Sequence, residues 1–520
     1  MFDRTRPLLA TRRDLLLSSA ALASFSALSG LARASEPVQA GVLVGVWASG
    51  RVLDVDRDVG LPGVLVSNGL DIVASDNDGR YVLPEADDGT LFVIKPAHYH
   101  VAVDPLTGLP QHYRPYGASA GPSDFRLRAG DEPARFDVAL FADPQPETHR
   151  HIDYIRDGAV RDVAKALQLP AFGLTLGDIC GDNLALLDRL NLTIGQAGVP
   201  WWNAGGNHDL DYGATTKVGA RRTFRQKYGP SHYAFHYGPA LFVVLDNVDY
   251  EGARADGSAG RYRGALGARQ LTFVRNLLKH WPRDRLVVFA MHIPLTTAWN
   301  PRSTSDNTAD AEAFLRVIDG YRAVSFSGHM HTTEHGYLPQ LSGVPHHHHV
   351  LAAVSGSWWS GPNDYRGTPL AMGCDGCPAG YHRLSVSDAD YTTTFRAPAV
   401  SERLRLHCTV GDDTVDVIVN LFDGGPRSTL FAATGSTRVE MTKVRRADPF
   451  VESLFADPSV DRPSWVKAEP SEHLWHARLP LGSALAPQRI AVEAYDEYGQ
   501  HVDDMVFVER AVQEMAVSHG

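Results

Sequence analysis

The segment Gly205–Asp209, which reads Gly-Gly-Asn-His-Asp, follows the apolar pair Trp201-Trp202 in the middle of the chain. Four more short polar segments end apolar, strand-like runs in the same region. In chain order, the five segments are Asp143-Pro144-Gln145, Gly177-Asp178, Gly205–Asp209, Met291-His292 and Gly328–His331. Because open α/β sheets bind ligands at the carboxyl ends of their strands, we expect the five segments to meet at one edge of a sheet. Carboxylate, amide and imidazole groups gathered there can surround a pair of divalent cations.

The region from about Asp131 to Ala397 alternates apolar runs with helical patterns, which is typical of buried sheets covered by helices. The pattern around Leu271 to Leu278 predicts one of these helices. Six apolar runs predict strands, at Phe136 to Phe141, Phe172 to Leu176, Leu241 to Leu245, Leu286 to Ala290, Ala323 to Phe326 and Val350 to Val354. This middle region is therefore predicted to be an α/β domain.

Two β-rich regions flank the α/β region. From about Val38 to Arg128, short strands separated by Gly, Pro and Asp predict a small sandwich. From about Ser401 onward, the alternation of apolar and polar residues predicts strands of a second sandwich, with a short helix around Glu452 to Phe455. A chain of 520 residues is too long for one compact core, which agrees with about three domains.

The N-terminal segment is predicted to be an export signal rather than part of the fold. Thr11–Leu16 places a twin arginine before an apolar run that ends near Leu31, and Ala32–Ala34 fits a cleavage site. The pattern resembles a twin-arginine signal, which implies a periplasmic or secreted protein. No second segment is apolar for long enough to span a bilayer, so we expect no transmembrane segment in the mature chain.

The composition argues against nucleic-acid binding. The net charge is −11 and no block of Lys or Arg stands out, whereas a polyanion-binding protein needs a basic patch. An anionic substrate must therefore be held locally, by metals or by a few cationic side chains.

The cysteines are predicted to carry no chemistry. Four cysteines in a chain of this length do not make a disulfide framework. Cys374 and Cys377 leave a local disulfide open, but no second such pair exists to complete a zinc site. Cys180 and Cys408 are predicted to be buried free thiols.

The ordered set of polar segments resembles the calcineurin-like metallophosphoesterase superfamily over about Phe136 to His331. The flanks resemble the β domains of some secreted bacterial members. The resemblance implies a four-layer α/β/β/α core flanked by two small β-sandwich domains. The implied division is a signal peptide at 1–34, an N-terminal β sandwich at 38–130, a catalytic domain at 131–397 and a C-terminal β-rich domain at 398–520.

The resemblance also implies a dinuclear centre. One metal would be held by Asp143, Gln145, Asp178 and His331, and the other by Asp178, Asn207, His292 and His329. Asp178 would bridge the two ions, because a carboxylate has two oxygens that can each reach one cation. The ions would be Mn, Mg, Ca, Fe or Zn, and the sequence leaves their identity open.

Two further residues are expected to take part in proton transfer to the leaving group. In the family, the histidine at the position of His208 protonates the leaving oxygen, as an imidazole with a pKa near neutrality can. Asp182 is our candidate for orienting this histidine, although many members carry the aspartate three rather than four residues after the bridging one. A plain loop carboxylate remains the alternative for Asp182.

The first motif departs from the family pattern, which is commonly Asp-x-His. Gln145 offers a harder, neutral oxygen instead of an imidazole nitrogen, which predicts weaker preference for iron and stronger preference for manganese, magnesium or calcium. The alternative is that Pro144-Gln145 only ends the strand.

The resemblance implies a metal-dependent hydrolase of phosphomonoesters or phosphodiesters that uses a hydroxide between two metals. The substrate would be a small-molecule or a lipid or glycan phosphate ester. The competing interpretation is a cell-envelope binding protein with a non-catalytic core. Two sets of residues have alternative roles. The histidines His346–His349 could line the edge of the pocket or be structural, and a second set could form the wall of the substrate site or pack between domains, namely Trp358, Trp359, Tyr365 and Arg366. Asp209 is expected to stabilise its own loop.

Overall fold

The computed structural model describes residues 46–509 apart from 87, 116–117, 119–120 and 483–485. The predicted signal peptide at residues 1–34 lies outside the described residues. Within the part that is described, no helix has the length and apolar character needed to cross a membrane.

The N-terminal region is built from short strands in two sheets. Its strands are β1 (Trp47–Asp54), β2 (Val59–Gly60), β3 (Leu65–Ser67), β4 (Ile72–Ala74), β5 (Arg80–Pro84), β6 (Phe92–Ile94), β7 (Tyr99–Val103), β8 (Pro110–Gln111) and β9 (Phe125–Ala129). One sheet contains β1, β2, β5, β7, β8 and β9, and the other contains β3, β4 and β6. The small N-terminal β fold that the sequence predicts is therefore present.

The middle region contains two larger sheets. Its strands are β10 (Arg135–Phe141), β11 (Phe172–Leu176), β12 (Trp201–Ala204), β13 (Tyr233–Tyr237), β14 (Ala240–Val244), β15 (Val248–Tyr250), β16 (Tyr262–Gly264), β17 (Val287–Ala290), β18 (Ala323–Ser327), β19 (Glu334–Leu338), β20 (His346–Val350), β21 (Tyr381–Ser387) and β22 (Asp390–Arg396). The first sheet has the order β12-β11-β10-β21-β22 and the second the order β13-β14-β17-β18-β20-β19. Strands β10 to β12 are parallel, and so are β14, β17, β18 and β20.

Helices cover the outer faces of the two sheets. The α-helices within the described residues are α1 (His149–Ile155), α2 (Arg161–Ala164), α3 (Leu187–Ile194), α4 (Lys217–Ala220), α5 (Arg222–Tyr228), α6 (Gly267–Leu278), α7 (Ala311–Ile318) and α8 (Pro449–Ala456). Strand β10 shows the layering, because Val138 and Leu140 pack into the core shared by both sheets while Phe141 packs with α1 and α3. Side chains of a strand alternate between its two faces, so one strand contributes to both layers. The predicted α/β/β/α arrangement is confirmed.

Five of the six predicted strands are confirmed, and the sixth is wrong. The apolar run at Val350 to Val354 predicted a strand, but the strand β20 runs from His346 to Val350. Histidines do not signal a buried strand by hydropathy, yet all four in this strand are buried. Their ring nitrogens make the placement possible, because burial of a polar group is tolerated when it finds hydrogen-bond partners.

The C-terminal region is a sandwich of two four-stranded sheets. Its strands are β23 (Leu404–Val410), β24 (Thr414–Leu421), β25 (Thr429–Thr434), β26 (Thr437–Glu440), β27 (Thr442–Ala447), β28 (Pro470–Pro480), β29 (Gln488–Tyr495) and β30 (His501–Val508). The sheet orders are β23-β24-β28-β27 and β26-β25-β29-β30. The alternation in β24 places Val415, Val417 and Val419 in the core between the sheets. The predicted second sandwich and its short helix, α8, are both present, whereas the residue boundaries of the three domains stay predictions.

Candidate metal centre

The five polar segments meet at the carboxyl ends of parallel strands. Asp143, Asp178 and Asn207 follow β10, β11 and β12 of the first sheet. His292 and His329 follow β17 and β18 of the second sheet. The centre therefore draws its side chains from the edges of two stacked sheets, rather than from the one sheet edge that the sequence led us to expect.

Three of the predicted ligands lie within 3.3 Å of Nε2 of a fourth, His292. The Nε2 atom of His292 is 3.0 Å from Asn207 Oδ1 and 3.3 Å from Asp178 Oδ1. It is also 3.2 Å from Nδ1 of His329. A cation that binds each donor at about 2.0–2.2 Å brings neighbouring donors to separations of roughly 3 Å. Four predicted ligands thus converge before any ion is considered.

The remaining predicted ligands lie on the other side of Asp178. Nε2 of Gln145 donates to Oδ2 of Asp178 at 3.2 Å. The Nε2 atom of His331 lies 3.7 Å from Oδ1 of Asp143. The amide oxygen Oε1 of Gln145 is buried and finds no hydrogen-bond partner in the part of the chain that the structure describes. A buried acceptor of this kind is costly unless something satisfies it, and a divalent cation is a fitting partner.

The backbone at the centre is held in an uncommon conformation. A positive φ costs a non-glycine residue about 1–3 kcal/mol and persists only where the surroundings impose it. Five of the predicted ligands have a positive φ, namely Asp143 (47°), Gln145 (43°), Asp178 (48°), His329 (71°) and His331 (53°). These backbone turns direct the side chains of the predicted ligands towards the candidate metal centre.

Glycines beside the ligands allow the segments to approach closely. A Cβ atom on Gly206 would lie 2.1 Å from Oδ1 of Asp178, and one on Gly328 would lie 2.2 Å from Oδ2 of Asp143. Both distances are well below contact distance, so these positions require glycine.

Backbone carbonyl groups fix the orientation of two imidazole rings. Nδ1 of His292 donates to the carbonyl oxygen of Leu176 at 2.9 Å, and Nδ1 of His331 donates to that of Gly356 at 2.6 Å. Because Nδ1 of each ring is committed to a carbonyl oxygen, Nε2 is the nitrogen left to bind a cation, which it does when it carries no proton. Both histidines are therefore prepared to bind a cation through Nε2.

The charges of the centre require compensation. Burial raises the pKa of Asp143 to about 7, and the nearby charge of Asp178 adds to the increase. Burial also opposes the charged form of His292, but Asp178 outweighs it and raises the pKa of His292 to about 9. Two buried carboxylates are therefore stabilised by positive charge next to them, and a divalent cation would supply that charge directly.

His208 lies over the edge of the centre. Its backbone N–H donates to Oδ1 of Asp178 at 2.8 Å, and its Nδ1 atom is 2.7 Å from Oδ1 of Asp182. Burial lowers the pKa of His208, but the carboxylates of Asp178 and Asp182 outweigh burial and hold the pKa above its ordinary value. The Asp182 contact predicted from the sequence is formed, and the roles of both residues stay predictions.

Asp209 stabilises the loop that carries Asn207 and His208. Asp209 accepts hydrogen bonds from the backbone N–H groups of Gly206 at 2.8 Å and Ile179 at 3.1 Å. It therefore ties the Gly205–Asp209 segment to the segment that carries Asp178.

Several residues at the centre were not predicted from the sequence. Arg221 donates to the carbonyl oxygen of Gly206 at 2.7 Å and pairs with Asp246 at 2.7 Å, and both side chains of this pair are buried. Asp306 places Oδ1 3.7 Å from Nε2 of His329. Tyr212 donates to the carbonyl oxygen of Asn207 at 2.8 Å. Arg221 and Asp306 lie outside the motifs, and Tyr212 follows one without a pattern that aims it at the centre, so only tertiary structure could reveal these contacts.

The aromatic segment after β20 has mixed roles. Trp358 stacks on the ring of His331, with ring centroids 4.2 Å apart. Trp359 is buried and donates from Nε1 to the carbonyl oxygen of Pro144 at 3.0 Å. Tyr365 is exposed, and Arg366 pairs with Asp364. Trp358 can thus border a substrate, whereas Trp359 packs.

All four cysteines are in the described residues, and all are free thiols. The disulfide between Cys374 and Cys377 that the sequence left open is not formed. Cys180 is buried as predicted, but Cys408 is only half-buried, because it lies in β23 at the edge of its sheet.

The two stacked sheets and the set of carboxylate, amide and imidazole donors define a metallophosphoesterase-like protein. Comparison with protein families agrees with this class. Residues 48–130 match the N-terminal domain of calcineurin-like phosphoesterase, and residues 348–501 match its C-terminal domain. These two matches support the prediction of a calcineurin-like phosphoesterase, a class of phosphoric ester hydrolase that implies divalent metal cofactors.

Two other comparisons add little. No curated protein matches the chain. Among solved structures, the chain is similar to a purple acid phosphatase isolated from yellow lupin (Lupinus luteus) seeds, with 13% identity over 69% of this chain and 72% of that chain. The TM-score of 0.38 is too low for this likeness to bear on function.

Proposed function

We propose that the protein hydrolyses phosphate monoesters or diesters at a centre for two divalent cations. The residues that would hold the cations are Asp143, Gln145, Asp178, Asn207, His292, His329 and His331. The observation that carries the proposal is the packing of Asp178, Asn207 and His329 within 3.3 Å of Nε2 of His292. The unpartnered oxygen of Gln145 supports a second cation on the far side of Asp178.

The side chains around the centre would position the substrate and move a proton. When bound, divalent cations lower the pKa of a water and neutralise charge on phosphoryl oxygens. His208 would hold a proton on Nε2 in its charged form, in which Nδ1 donates to Asp182 and the nearby carboxylates stabilise the positive ring. From that position it would donate the proton to the leaving oxygen as the ester bond breaks. Asp182 would act as a positioning residue.

A groove beside His208 bears on the size of the alcohol. It has a volume of about 720 Å³ and is lined by residues that include Asp182, Leu210, Tyr212 and Arg222. The groove shares Asp182 with the contact to Nδ1 of His208. This supports a substrate with a portion that extends beyond the phosphate, such as a lipid or glycan phosphate ester.

A direct assay tests the proposal. Metal-depleted protein should be inactive towards bis(p-nitrophenyl) phosphate and p-nitrophenyl phosphate, and added Mn²⁺ should restore hydrolysis of at least one. Metal-replete protein that is inert to both, yet is retained by cell-wall material, would support the envelope-binding interpretation instead.

The metal preference has its own test. The neutral amide oxygen of Gln145 favours manganese, magnesium or calcium over iron. We expect Gln145→His to raise the iron content measured after mild purification. Firmly bound iron in the natural protein would contradict this assignment.

We also propose that the protein is exported by the twin-arginine route, on the basis of residues 11–34 of the sequence. The paired change Arg12→Lys and Arg13→Lys should retain the protein in the cytoplasmic fraction. Unchanged export of that variant would rule the route out.

A further inference from the structure

A second cluster of histidines lies away from the candidate metal centre. His347 and His349 share one face of strand β20, and His335 lies on the neighbouring strand β19. Each of the three rings offers one nitrogen, and the three nitrogens lie within 4.8 Å of one another. His335 and His347 are at most 8% exposed, and His349 is fully buried. Three buried imidazoles in this arrangement call for an explanation, because burial of unsatisfied ring nitrogens is costly.

The outer nitrogen of each ring contacts an oxygen. Nε2 of His335 lies 3.0 Å from Oδ1 of Asp423. Nδ1 of His347 lies 2.7 Å from the hydroxyl of Tyr391, and Nε2 of His349 lies 3.4 Å from the hydroxyl of Tyr498. When these three nitrogens carry the ring protons, the other nitrogen of each ring keeps a free lone pair. An outer oxygen that fixes the tautomer in this way is typical of metal-binding histidines.

The inner nitrogens are the ones that need a partner. Nδ1 of His335 and Nε2 of His347 are 3.1 Å apart. Nδ1 of His349 is buried and has no hydrogen-bond partner among the described residues. In a tetrahedral zinc site with bonds of about 2.0–2.1 Å, neighbouring nitrogens are roughly 3.3 Å apart, close to the 3.1 Å between Nδ1 of His335 and Nε2 of His347.

We propose that His335, His347 and His349 hold one zinc ion. Three neutral imidazoles with no carboxylate among them favour zinc over magnesium, calcium or manganese, which prefer oxygen ligands. The carboxylate of Asp423 lies behind His335 and also contacts Nε2 of His382 at 3.1 Å. It supplies negative charge next to the ion without being a ligand.

The ion would join two parts of the fold. The three histidines belong to the second sheet of the middle region, whereas Asp423 follows β24 and Tyr498 follows β29 of the C-terminal sandwich. An ion at this point would fix the rings against which the C-terminal region packs. A water would complete the tetrahedron, since the cluster offers three protein ligands. The role of the ion would be structural, because the three ligands are buried and share no hydrogen bond with the predicted ligands of the candidate metal centre among the contacts described above.

A metal-free arrangement is the alternative. Tyr391 can donate to His347, His347 to His335, and His335 to Asp423, which satisfies these groups in a chain of hydrogen bonds. That chain leaves Nδ1 of His349 unpaired, whereas a zinc ion satisfies all three inner nitrogens together. The unpaired nitrogen is the reason to prefer the ion.

The same strand offers a matched control. His346 is also buried in β20, but it contacts Oγ of Ser325 at 2.7 Å on the opposite face. The full chain, His349→Leu and His346→Leu would be purified from zinc-supplemented cells and dialysed identically, and metal would be counted by mass spectrometry. We expect His349→Leu to hold one zinc per chain less than the other two proteins. Equal zinc in all three would overturn the proposal.

A second measurement does not depend on folding of a variant. Crystals of the unaltered protein should show an anomalous difference peak at the zinc edge between the three rings. An empty position there, in protein supplied with zinc, would establish the hydrogen-bonded chain instead. Neither measurement depends on hydrolysis, so failure of the zinc site and failure of the proposed function can be told apart.

Discussion

Replacing Asp182 by asparagine isolates the positioning of His208 from metal binding. Oδ1 of Asp182 lies 2.7 Å from Nδ1 of His208, and Asp182 is not among the predicted metal ligands. A hydrogen bond to a charged group contributes about 1.5–3 kcal/mol where water is excluded. The Asp182 side chain is 66% exposed, so competition from solvent reduces the effect to about 1 kcal/mol. We therefore expect kcat to fall ~5-fold.

The pH dependence of Asp182→Asn gives a second, independent readout. Burial lowers the pKa of His208, but the charges of Asp178 and Asp182 raise it above its ordinary value. The proton donor is the protonated form, so activity is lost as pH rises through this pKa. Removing the Asp182 charge lowers the pKa, and the alkaline limb of the rate profile should move to lower pH.

The assay measures the pH profile of kcat for the metal-loaded protein. It compares p-nitrophenyl phosphate esters with unsubstituted phenyl phosphate esters. The loss should be larger for the phenyl ester, because its poorer leaving group depends more on protonation. Asp188→Asn is the control, since Asp188 is a similarly exposed carboxylate that pairs with Lys227. A profile for Asp182→Asn that overlays that of the unaltered protein would refute the assignment.

Three further substitutions test other parts of the site. His208→Ala should lower turnover of the phenyl ester by about 10²–10⁴-fold and leave metal content unchanged; loss of metal would refute its role as proton donor. Asp178→Asn should reduce both metal content and activity, because it removes charge from the position shared by both predicted metals, and full metal occupancy in this variant would contradict the bridging role. Arg221→Met leaves Asp246 buried without its partner and should lower the free energy of unfolding in urea by about 3–5 kcal/mol, which Arg221→Met combined with Asp246→Leu should partly restore. Burial raises the pKa of Asp246, but Arg221 outweighs it and keeps the pKa below its ordinary value, so the contribution of this pair is present at neutral pH and lost as pH falls through that lowered pKa. Equal acid stability of the single variant and the natural protein would disprove this linkage.

The ligand segments could be predicted because each follows an apolar strand directly. Asp143 and Asp178 come two residues after β10 and β11, so a strand pattern alone places both at the same edge. Knowledge of the strand order was not needed, since parallel strands end on the same side whatever their order. What the pattern could not show was that the histidine segments follow strands of a different sheet.

Residues that act through distant contacts escaped prediction. Arg221 and Asp306 lie in segments without strand or helix periodicity that would aim them at the centre, and their partners are separated from them in sequence. The histidines of β20 are the opposite case, because their polarity hides a buried strand. A hydropathy scale ranks His347 and His349 as polar and predicts that they are exposed. Their rings are buried because they contact the hydroxyl groups of Tyr391 and Tyr498. Such pairing depends on the completed fold.

The division of the centre between two sheets has a consequence for inactivation. Asn207 follows a strand of the first sheet and His292 a strand of the second, so their spacing depends on the packing between the sheets as well as on hydrogen bonds such as that of His292 to Leu176. Aromatic contacts such as Trp202 on Phe235, with centroids 3.9 Å apart, set the spacing of those layers. A slight sliding of one layer over the other would separate the two halves while every strand stayed intact. Mild denaturant should therefore abolish turnover at concentrations where circular dichroism still reports native secondary structure.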